Sequence, residues 1–174
     1  MGDDDALAEL VRDRGAALLK YATLLVGTRR GAEDLVQDAL VKVFAARQGR
    51  VRDIERLEAY VRRTVLTLFL DSYRRHRRWV GVRHLFTEPD PGPPDDDVGE
   101  RVDVVVALRT LTPRERACVV LRFYEDLTVP QIADELGLAQ GTVKRYLSDA
   151  THALAAQLGP SHDSGPTQEA EALP

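Results

Sequence analysis

The fold of the C-terminal half is decided by residues 127–150, LTVPQIADELGLAQGTVKRYLSDA. Three positions in this stretch have helix-turn-helix spacing: Ala133, Gly137 and Val143. A small side chain at 133 lets two helices approach closely, and glycine at 137 permits the left-handed backbone that ends the first helix. Valine at 143 then packs the second helix onto the first. The pattern predicts a DNA-binding helix pair rather than a plain helical hairpin.

Capping residues mark where the helices around this stretch begin. Thr112-Pro113-Arg114-Glu115 and Thr128-Val129-Pro130-Gln131 each place a hydroxyl at the N-cap, proline just inside, and Glu or Gln at the third helical position. This is the capping-box arrangement. Four helices are therefore predicted, at about 101–111, 113–125, 129–136 and 140–158.

The last of these helices is expected to lie in the major groove of duplex DNA. Its apolar residues from Val143 to Leu158 face inward, which leaves a polar outer face. Outward side chains of such a helix reach base edges, and its N-terminal turn also favours phosphate. The predicted DNA-contacting residues are Gln140, Thr142, Lys144, Arg145 and Ser148.

The N-terminal half is predicted to be a small antiparallel helical bundle. Leucine, valine and alanine recur at helical spacing over about 6–26, 32–47 and 55–78, with a Gly27–Gly31 turn after the first helix. No alternating pattern is long enough for a strand. The first helix is expected to bury one face consisting of Leu7, Leu10, Val11, Leu18, Ala22 and Leu25.

The fold class is therefore all-α, with two small helical domains joined by a flexible acidic linker. The stretch TEPDPGPPDDDVGE is rich in proline, glycine and aspartate, so it cannot bury a core. Such a linker leaves the relative placement of the two domains open. The predicted divisions are a helical domain at 1–82, the linker at 83–100, a helix-turn-helix domain at 101–158 and a disordered tail at 159–174.

The net charge of −4 is unevenly distributed along the chain. Residues 3–5, 88–103 and 159–174 together carry −12, which leaves +8 on the two helical modules. Two basic modules are thus joined and flanked by acidic segments, an arrangement compatible with binding to nucleic acid.

Basic and aromatic residues are concentrated toward the end of the third helix, in DSYRRHRRW at 71–79. Residues 47–78 hold ten arginines against four acids, and Phe69, Tyr73 and Trp79 are interleaved with them. Arginines for phosphates with aromatic rings for unpaired bases suit single-stranded DNA. The alternatives are a merely solvated helix face and a Trp79 that caps the bundle core.

The composition gives little support to catalysis or to membrane insertion. No nucleotide-binding glycine motif or metalloprotease motif occurs, the four histidines lack ligand spacing, and no cofactor or metal is expected. The single cysteine, Cys118, has apolar neighbours and is expected to be a buried thiol. No apolar run is long enough to span a membrane and the N-terminus is acidic, so we expect a cytoplasmic protein that is not an enzyme.

Taken together, the motifs resemble regions two and four of the sigma-70 family. The resemblance rests on AEDLVQDALVKVF at 32–44, the arginine-rich helix ending DSYRRHRR, the Pro/Asp-rich linker, and LTPRERACVVLRFYEDLTVPQIADELGLAQGTVKRYLSDA at 111–150. The two-domain form without a middle region resembles the extracytoplasmic-function (ECF) group, and the phrase LRFYEDLT resembles its actinobacterial SigE-like members.

The resemblance implies an RNA polymerase sigma factor that binds core polymerase and directs promoter recognition, melting and initiation. The polar face of the second helix, with Asp34, Gln37 and Asp38, would dock on the clamp of the largest subunit. Region four would meet the upstream, minus-thirty-five element and the polymerase flap, and the linker would run near the RNA exit path. The residues implied for the minus-ten element and its non-template strand are Arg62, Arg63, Thr67, Arg74, Arg75, Arg77, Arg78 and Trp79.

The sequence departs from the family pattern in two places. Thr67 stands where the family commonly has asparagine, and Asp149, Thr151 and His152 stand where its recognition helix usually continues with arginines. The first departure changes the polar contact that the family makes to the promoter strand, and the second predicts weaker binding to the upstream element or an unusual sequence preference there.

The resemblance also allows an anti-sigma factor as a further partner. The sequence leaves two other functions open. A LuxR-type transcriptional regulator also carries a TPRE start and a GTVK recognition helix, but it places an α/β domain before them. A helical scaffold without DNA contact requires both basic surfaces to be incidental.

Overall fold

The computed structural model describes residues 3–47, 54–80 and 99–158, and this part of the chain is helical without any strand. The predicted all-α class is confirmed, and each predicted helix is present. The helices are α1 Asp3–Val26, α2 Arg29–Arg47, α3 Ile54–Val80, α4 Gly99–Arg109, α5 Pro113–Phe123, α6 Val129–Leu136 and α7 Gln140–Leu158. Apart from the first residues of α4, the predicted linker 83–100 lies outside the described residues, as does the predicted tail.

The turn between α1 and α2 is shorter than the predicted Gly27–Gly31 segment. Gly27 adopts a left-handed φ of 89° and its N–H donates to the carbonyl of Thr23 at 2.8 Å, which ends α1. The Thr28 hydroxyl accepts a hydrogen bond from the N–H of Gly31 at 3.2 Å, and α2 has begun before Gly31, at Arg29. One glycine rather than two therefore makes the turn.

The core of the N-terminal bundle consists of the inward faces of α1, α2 and α3. Leu10, Leu18, Ala22 and Leu25 of α1 are fully buried, as the sequence predicts. Val11 is 46% exposed, so its predicted place on the buried face was wrong. The next residue along a helix is rotated by about 100°, and with Leu10 pointing directly into the core Val11 turns out toward solvent.

The helix-turn-helix has the local geometry that its sequence predicts. Gly137 is left-handed at φ 61° and ψ 43°, and both threonine N-caps form complete capping boxes, with Glu115 and with Gln131. Ile132 and Val143 are fully buried and Ala133 nearly so, which holds α6 against α7. The pairing of these two helices thus follows from residues close together in sequence.

The two domains pack against each other, which the sequence left open. Helices α1 and α3 of the N-terminal bundle contact α5, and α1 also contacts α4. Buried residues of both halves belong to one continuous apolar cluster. Over the described part of the chain, no helix combines the length and apolar character that a membrane crossing requires.

Candidate nucleic-acid interface

The first half of α7 presents a polar face to solvent. Val143 anchors the helix from the opposite side, while Gln140, Lys144 and Ser148 are exposed. Arg145 is also exposed and lies 4.0 Å from Asp149, one helical turn further on. Thr142 is half-buried. All five residues predicted for the upstream element therefore lie in the first two and a half turns of one helix, and four of them are open to solvent.

The second half of α7 uses its polar side chains on its own backbone. The Thr151 hydroxyl donates to the carbonyl of Leu147 at 2.6 Å, and Nδ1 of His152 lies 2.9 Å from the carbonyl oxygen of Ser148. These groups are engaged within the helix and sit beside the acidic Asp149. The geometry favours the first half of α7 as the DNA-facing part.

An exposed face of α3 carries three of the residues predicted for the minus-ten element. Arg63, Thr67 and Arg74 are spaced by four and seven residues, which places them along one side of a helix, and all are exposed. The Thr67 hydroxyl donates to the carbonyl of Arg63 at 2.9 Å, so only its oxygen lone pairs are free to accept. Arg75 is exposed on the adjoining side.

Arg62 lies apart from that face. It is half-buried, bonds Glu58 on its own helix at 2.6 Å, and forms an ion pair with Glu125 of the helix-turn-helix domain. Its guanidinium also stands 5.7 Å from the ring centre of Tyr21. In this arrangement Arg62 faces the other domain rather than solvent.

The aromatic residues near the basic cluster have different environments. Phe69 is 1% exposed, so its predicted availability to unpaired bases was wrong: its position on α3 points into the bundle core. Tyr73 is partly buried and meets Phe69 edge-on at 5.3 Å. Arg77, Arg78 and Trp79 belong to α3, but their side chains lie outside the described part of the structure.

The polar face of α2 is exposed. Asp34, Gln37 and Asp38 follow one another along it, as predicted, and Lys42 continues the row. Sequence reasoning missed two apolar neighbours: Val41 and Phe44 are also exposed, at 63% and 47%. Their exposure beside a polar row was detectable from helical periodicity, because neither position falls on the buried stripe.

Two residues of the sequence RFYED at 122–126, Tyr124 and Glu125, contact the N-terminal bundle, a role that the sequence did not reveal. The Tyr124 ring stacks on Tyr21 with ring centres 6.2 Å apart, and its hydroxyl donates to the carbonyl of Ala17 at 3.3 Å. Glu125 pairs with Arg62, and Glu135 of α6 lies 3.5 Å from Arg63. These contacts join residues far apart in sequence, so no local sequence pattern predicts them.

Arg116 links the domains from within the core. It is 3% exposed and donates to the carbonyl of Leu25 at 2.7 Å and to that of Arg109 at 2.8 Å. Leu25 lies in the last turn of α1, where carbonyls lack helical partners and where a cation is favoured by the helix dipole. Burial lowers the pKa of Arg116 from its ordinary value.

Burial also affects two acids of the second domain. It raises the pKa of Glu125, because desolvation outweighs the attraction of Arg62. Burial raises the pKa of Cys118 to about 11, and this thiol is fully buried as the sequence predicts. Within the described residues, no group of three or more histidine, cysteine or carboxylate side chains is placed to hold a metal ion.

Comparison with known proteins matches both halves of the chain to models of one family. Residues 10–79 match sigma-70 region 2, and residues 107–156 match sigma-70 region 4. The chain is 33% identical to the RNA polymerase sigma-E factor of Streptomyces coelicolor over 162 residues, covering 91% of this chain and 89% of that protein. The chain belongs to the sigma-70 family.

Other relatives place this sigma factor in the ECF group. It is 30% identical over 154 residues to the ECF RNA polymerase sigma factor SigL of Mycobacterium tuberculosis, covering 86% of this chain and 87% of that one. Among solved structures it resembles the sigma factor RpoE in complex with the anti-sigma factor NepR from Bartonella quintana. That likeness has a TM-score of 0.62 at 25% identity and covers 89% of this chain and 95% of the other. The protein is an RNA polymerase sigma factor of this group.

Proposed function

We propose that this sigma factor uses three separate surfaces to start transcription. The exposed face of α3 holds the non-template strand of the minus-ten element, the first half of α7 reads the upstream element, and the polar face of α2 binds core polymerase. The observation that carries the proposal is that each surface is exposed on a helix whose opposite side is buried in a core.

The α3 surface is suited to single-stranded DNA. Arg63, Arg74 and Arg75 supply charges for phosphates, and Thr67 retains acceptor capacity for a base amino group. Arg62, Arg77, Arg78 and Trp79 extend this set by their sequence positions, and Trp79 offers a ring for an unstacked base. Melting follows in this proposal because α3 binds the separated strand and leaves the duplex without an equivalent contact.

The α7 surface is suited to duplex DNA. Gln140, Thr142, Lys144, Arg145 and Ser148 combine donors and acceptors with two cations, at the positively polarised end of the helix. Asp149 competes with DNA phosphate for Arg145, which lies within 4.0 Å of it. We therefore expect this contact to contribute less affinity than a recognition helix that continues with arginines.

Core RNA polymerase is the partner that brings both DNA surfaces to a promoter. Asp34, Gln37 and Asp38 of α2 are proposed to bind the clamp of its largest subunit, with Val41 and Phe44 adding apolar area beside them. The helix-turn-helix domain would meet the flap, and the acidic linker would run near the RNA exit path. An anti-sigma factor is a further partner by analogy with the complex of RpoE and NepR.

The sigma factor itself is proposed to catalyse no reaction and to act in the cytoplasm, where it meets polymerase. The LuxR alternative finds no support, because the N-terminal half is a region-two bundle rather than an α/β domain.

In vitro transcription with core polymerase and fragmented genomic DNA tests the proposal. The expected result is specific initiation from a defined promoter class that depends on adding the chain. A control sigma factor is run in parallel with the same core. Failure of the chain to direct any transcript while the control succeeds would contradict the proposed function.

A further inference from the structure

An acidic residue, Asp149, stands where the DNA-facing half of α7 ends. Gly141, Arg145 and Asp149 are spaced by four residues, so they follow one another along one side of the helix, and all three are exposed. The phosphates of DNA repel a carboxylate on this side unless a cation stays beside it. The Asp149 carboxylate lies 4.0 Å from Nε of Arg145, so one of the proposed DNA contacts is also the cation beside the acid.

The ring of Tyr146 is the second neighbour of the Arg145 guanidinium. The central carbon of the guanidinium lies 5.7 Å from the ring centre, within the range of a cation–π contact. Tyr146 is half-buried and packs against the apolar core, which restricts its ring, whereas the Arg145 side chain is 71% exposed. The guanidinium is therefore contacted by its own helix at two points and remains open to a ligand.

These two contacts matter more for DNA binding than for the stability of the fold. Water screens an exposed ion pair within a helix, so such a pair adds little to the free energy of unfolding. DNA bound against the helix excludes water, which strengthens the same pair. If Arg145 left Asp149 for a phosphate, the acid would face DNA without a counter-charge. Binding thus favours an arrangement in which Arg145 keeps Asp149 as its partner.

Arg145 retains hydrogen-bond donors for a ligand while it is paired with Asp149. A guanidinium carries donors on Nε and on two terminal nitrogens, and the carboxylate lies beside Nε. The donors of the terminal nitrogens remain for DNA. Two parallel donors of this kind match the O6 and N7 acceptors that guanine presents in the major groove.

We propose that Arg145 reads a guanine of the upstream element, and that Asp149 and Tyr146 are positioning residues that hold its guanidinium toward the base and away from phosphate. The inference rests on the proposed role of α7 and names the residue that sets its base preference. Asp149 then lowers the affinity for DNA of any sequence and raises the discrimination between sequences.

Gly141 leaves space for DNA one helical turn before Arg145. A Cβ at this position would meet nothing within 4 Å, and an alanine here would make the helix more stable. Gly137, by contrast, has a left-handed φ of 61° that the turn requires. The missing side chain at Gly141 lets DNA approach the helix backbone closely, which shortens the distance over which Arg145 has to reach a base edge.

The test compares the base preferences of holoenzymes that differ only in α7. Core polymerase is reconstituted with each variant of the full chain and mixed with a pool of random duplexes, and sequencing of the bound fraction gives the preference at each position. Core polymerase alone supplies the background. The variants are R145A, D149N and Y146L. The matched controls are Y146F, which keeps the ring, and D134N, which removes the same charge from an exposed position of α6.

The unmodified holoenzyme should prefer one guanine by roughly tenfold, and R145A should abolish that preference. D149N and Y146L should each reduce the same preference by roughly threefold, because an arginine without these neighbours loses more side-chain freedom on binding. The two controls should retain it. D149N should also bind the unselected pool more tightly, with a salt slope steeper by about 0.9, because Arg145 then takes up a phosphate.

The double variant R145A/D149N separates positioning from direct contact. If Asp149 acts through Arg145, the double variant should have the base preferences of R145A alone. A preference lost in D149N at a different base pair from the one lost in R145A would mean that Asp149 contacts a base itself, and would overturn its positioning role. D149N alters only an exposed side chain, so this result does not depend on the core, and circular dichroism checks that every variant is helical.

A guanine preference that survives undiminished in D149N or in Y146L would overturn the positioning role of that residue, while α7 would keep its role in reading duplex DNA. A uniform loss of affinity in R145A, with every base preference retained, would overturn base reading by Arg145. If no sequence is enriched over core polymerase alone, α7 does not read duplex DNA and the inference fails with it. The transcription test then shows separately whether the chain directs initiation.

Discussion

The two candidate DNA surfaces differ in what surrounds their charges. On α7, Lys144 is exposed, and Arg145 lies 4.0 Å from the carboxylate of Asp149 on its own helix. On α3, Arg62 and Arg63 are paired with glutamates of the other domain. One surface is therefore open to DNA while the other is partly occupied, although both belong to the same chain.

This difference shows that the availability of a basic helix face to DNA depends on the residues packed against it as well as on its own sequence. The α7 surface depends on interactions within one helix-turn-helix, so it is complete as soon as that domain folds. The α3 surface depends on whether the domains are together or apart.

Reversing the charge at Asp34 and Asp38 is expected to have the largest effect, because both DNA surfaces depend on binding to core polymerase. The D34K/D38K variant should lose core binding, because both carboxylates lie on the proposed polymerase face and neither packs in the core. Neither DNA surface would then reach a promoter. Binding is measured by co-purification with core polymerase, and helicity by circular dichroism.

The matched control is E9K/D13K on α1, which makes the same charge reversal with the same spacing on another helix. Undiminished core binding by D34K/D38K would remove α2 from the polymerase interface.

Removing the positive charges of each DNA surface in turn separates the contributions of α7 and α3 to promoter binding. K144A/R145A should weaken promoter binding by about 1–3 kcal/mol for each residue that touches a base edge. R63A/R74A removes two phosphate contacts with the melted strand, so the slope of log affinity against log salt should fall by roughly 1.4. Both are measured with reconstituted holoenzyme over a salt series.

R12A/R30A removes two exposed arginines of the N-terminal domain outside both surfaces and serves as the control. A salt slope that falls as much in the control as in R63A/R74A would show that α3 has no special role.

The pH dependence of the free energy of unfolding tests the burial of Cys118 in the core beneath the α7 surface. The pKa of Cys118 is raised by burial from 9.0 to about 11, so folding favours its neutral thiol. Its stabilising contribution is complete below pH 9 and is lost as pH rises toward 11, by at most about 2–3 kcal/mol. The free energy of unfolding of wild type minus that of C118A isolates this contribution.

That difference should be constant from pH 7 to 8.5 and decline between pH 9 and 11. A difference that stays flat to pH 11 would mean that Cys118 titrates alike in the folded and unfolded chains.

The smallest expected effects come from two glycines of the helix-turn-helix. Gly137 is left-handed and has open space where a Cβ would stand, so G137A should cost about 1–2 kcal/mol of stability from backbone strain alone. Gly141 has the same open space but lies in α7, so G141A should stabilise by about 0.5 kcal/mol. Urea unfolding measures both, and equal effects of the two substitutions would contradict the turn geometry.

Local features of this molecule were predictable from its sequence. The capping boxes at Thr112 and Thr128 and the left-handed Gly137 each depend on residues within a few positions, and the structure has all three as predicted. Helical periodicity likewise identified the exposed row of Asp34, Gln37 and Asp38.

The remaining features depend on contacts distant in sequence. Arg62 and Glu125 are 63 positions apart, and Arg116 reaches a carbonyl 91 positions away. Phe69 was misjudged because an aromatic residue among arginines has the same local pattern whether it faces solvent or the core. Only the packing of α3 against α1 and α2 distinguishes these cases.

Permanganate footprinting of the promoter in complex with holoenzyme tests most directly the claim that α3 and α7 make separate promoter contacts. With K144A/R145A at saturating holoenzyme, thymines of the minus-ten element should remain reactive while nuclease protection of the upstream element is lost. With R63A/R74A, upstream protection should persist and thymine reactivity should disappear. Normal melting by R63A/R74A, or loss of both signals in both variants, would contradict the assignment of strand binding to α3 and of duplex reading to α7.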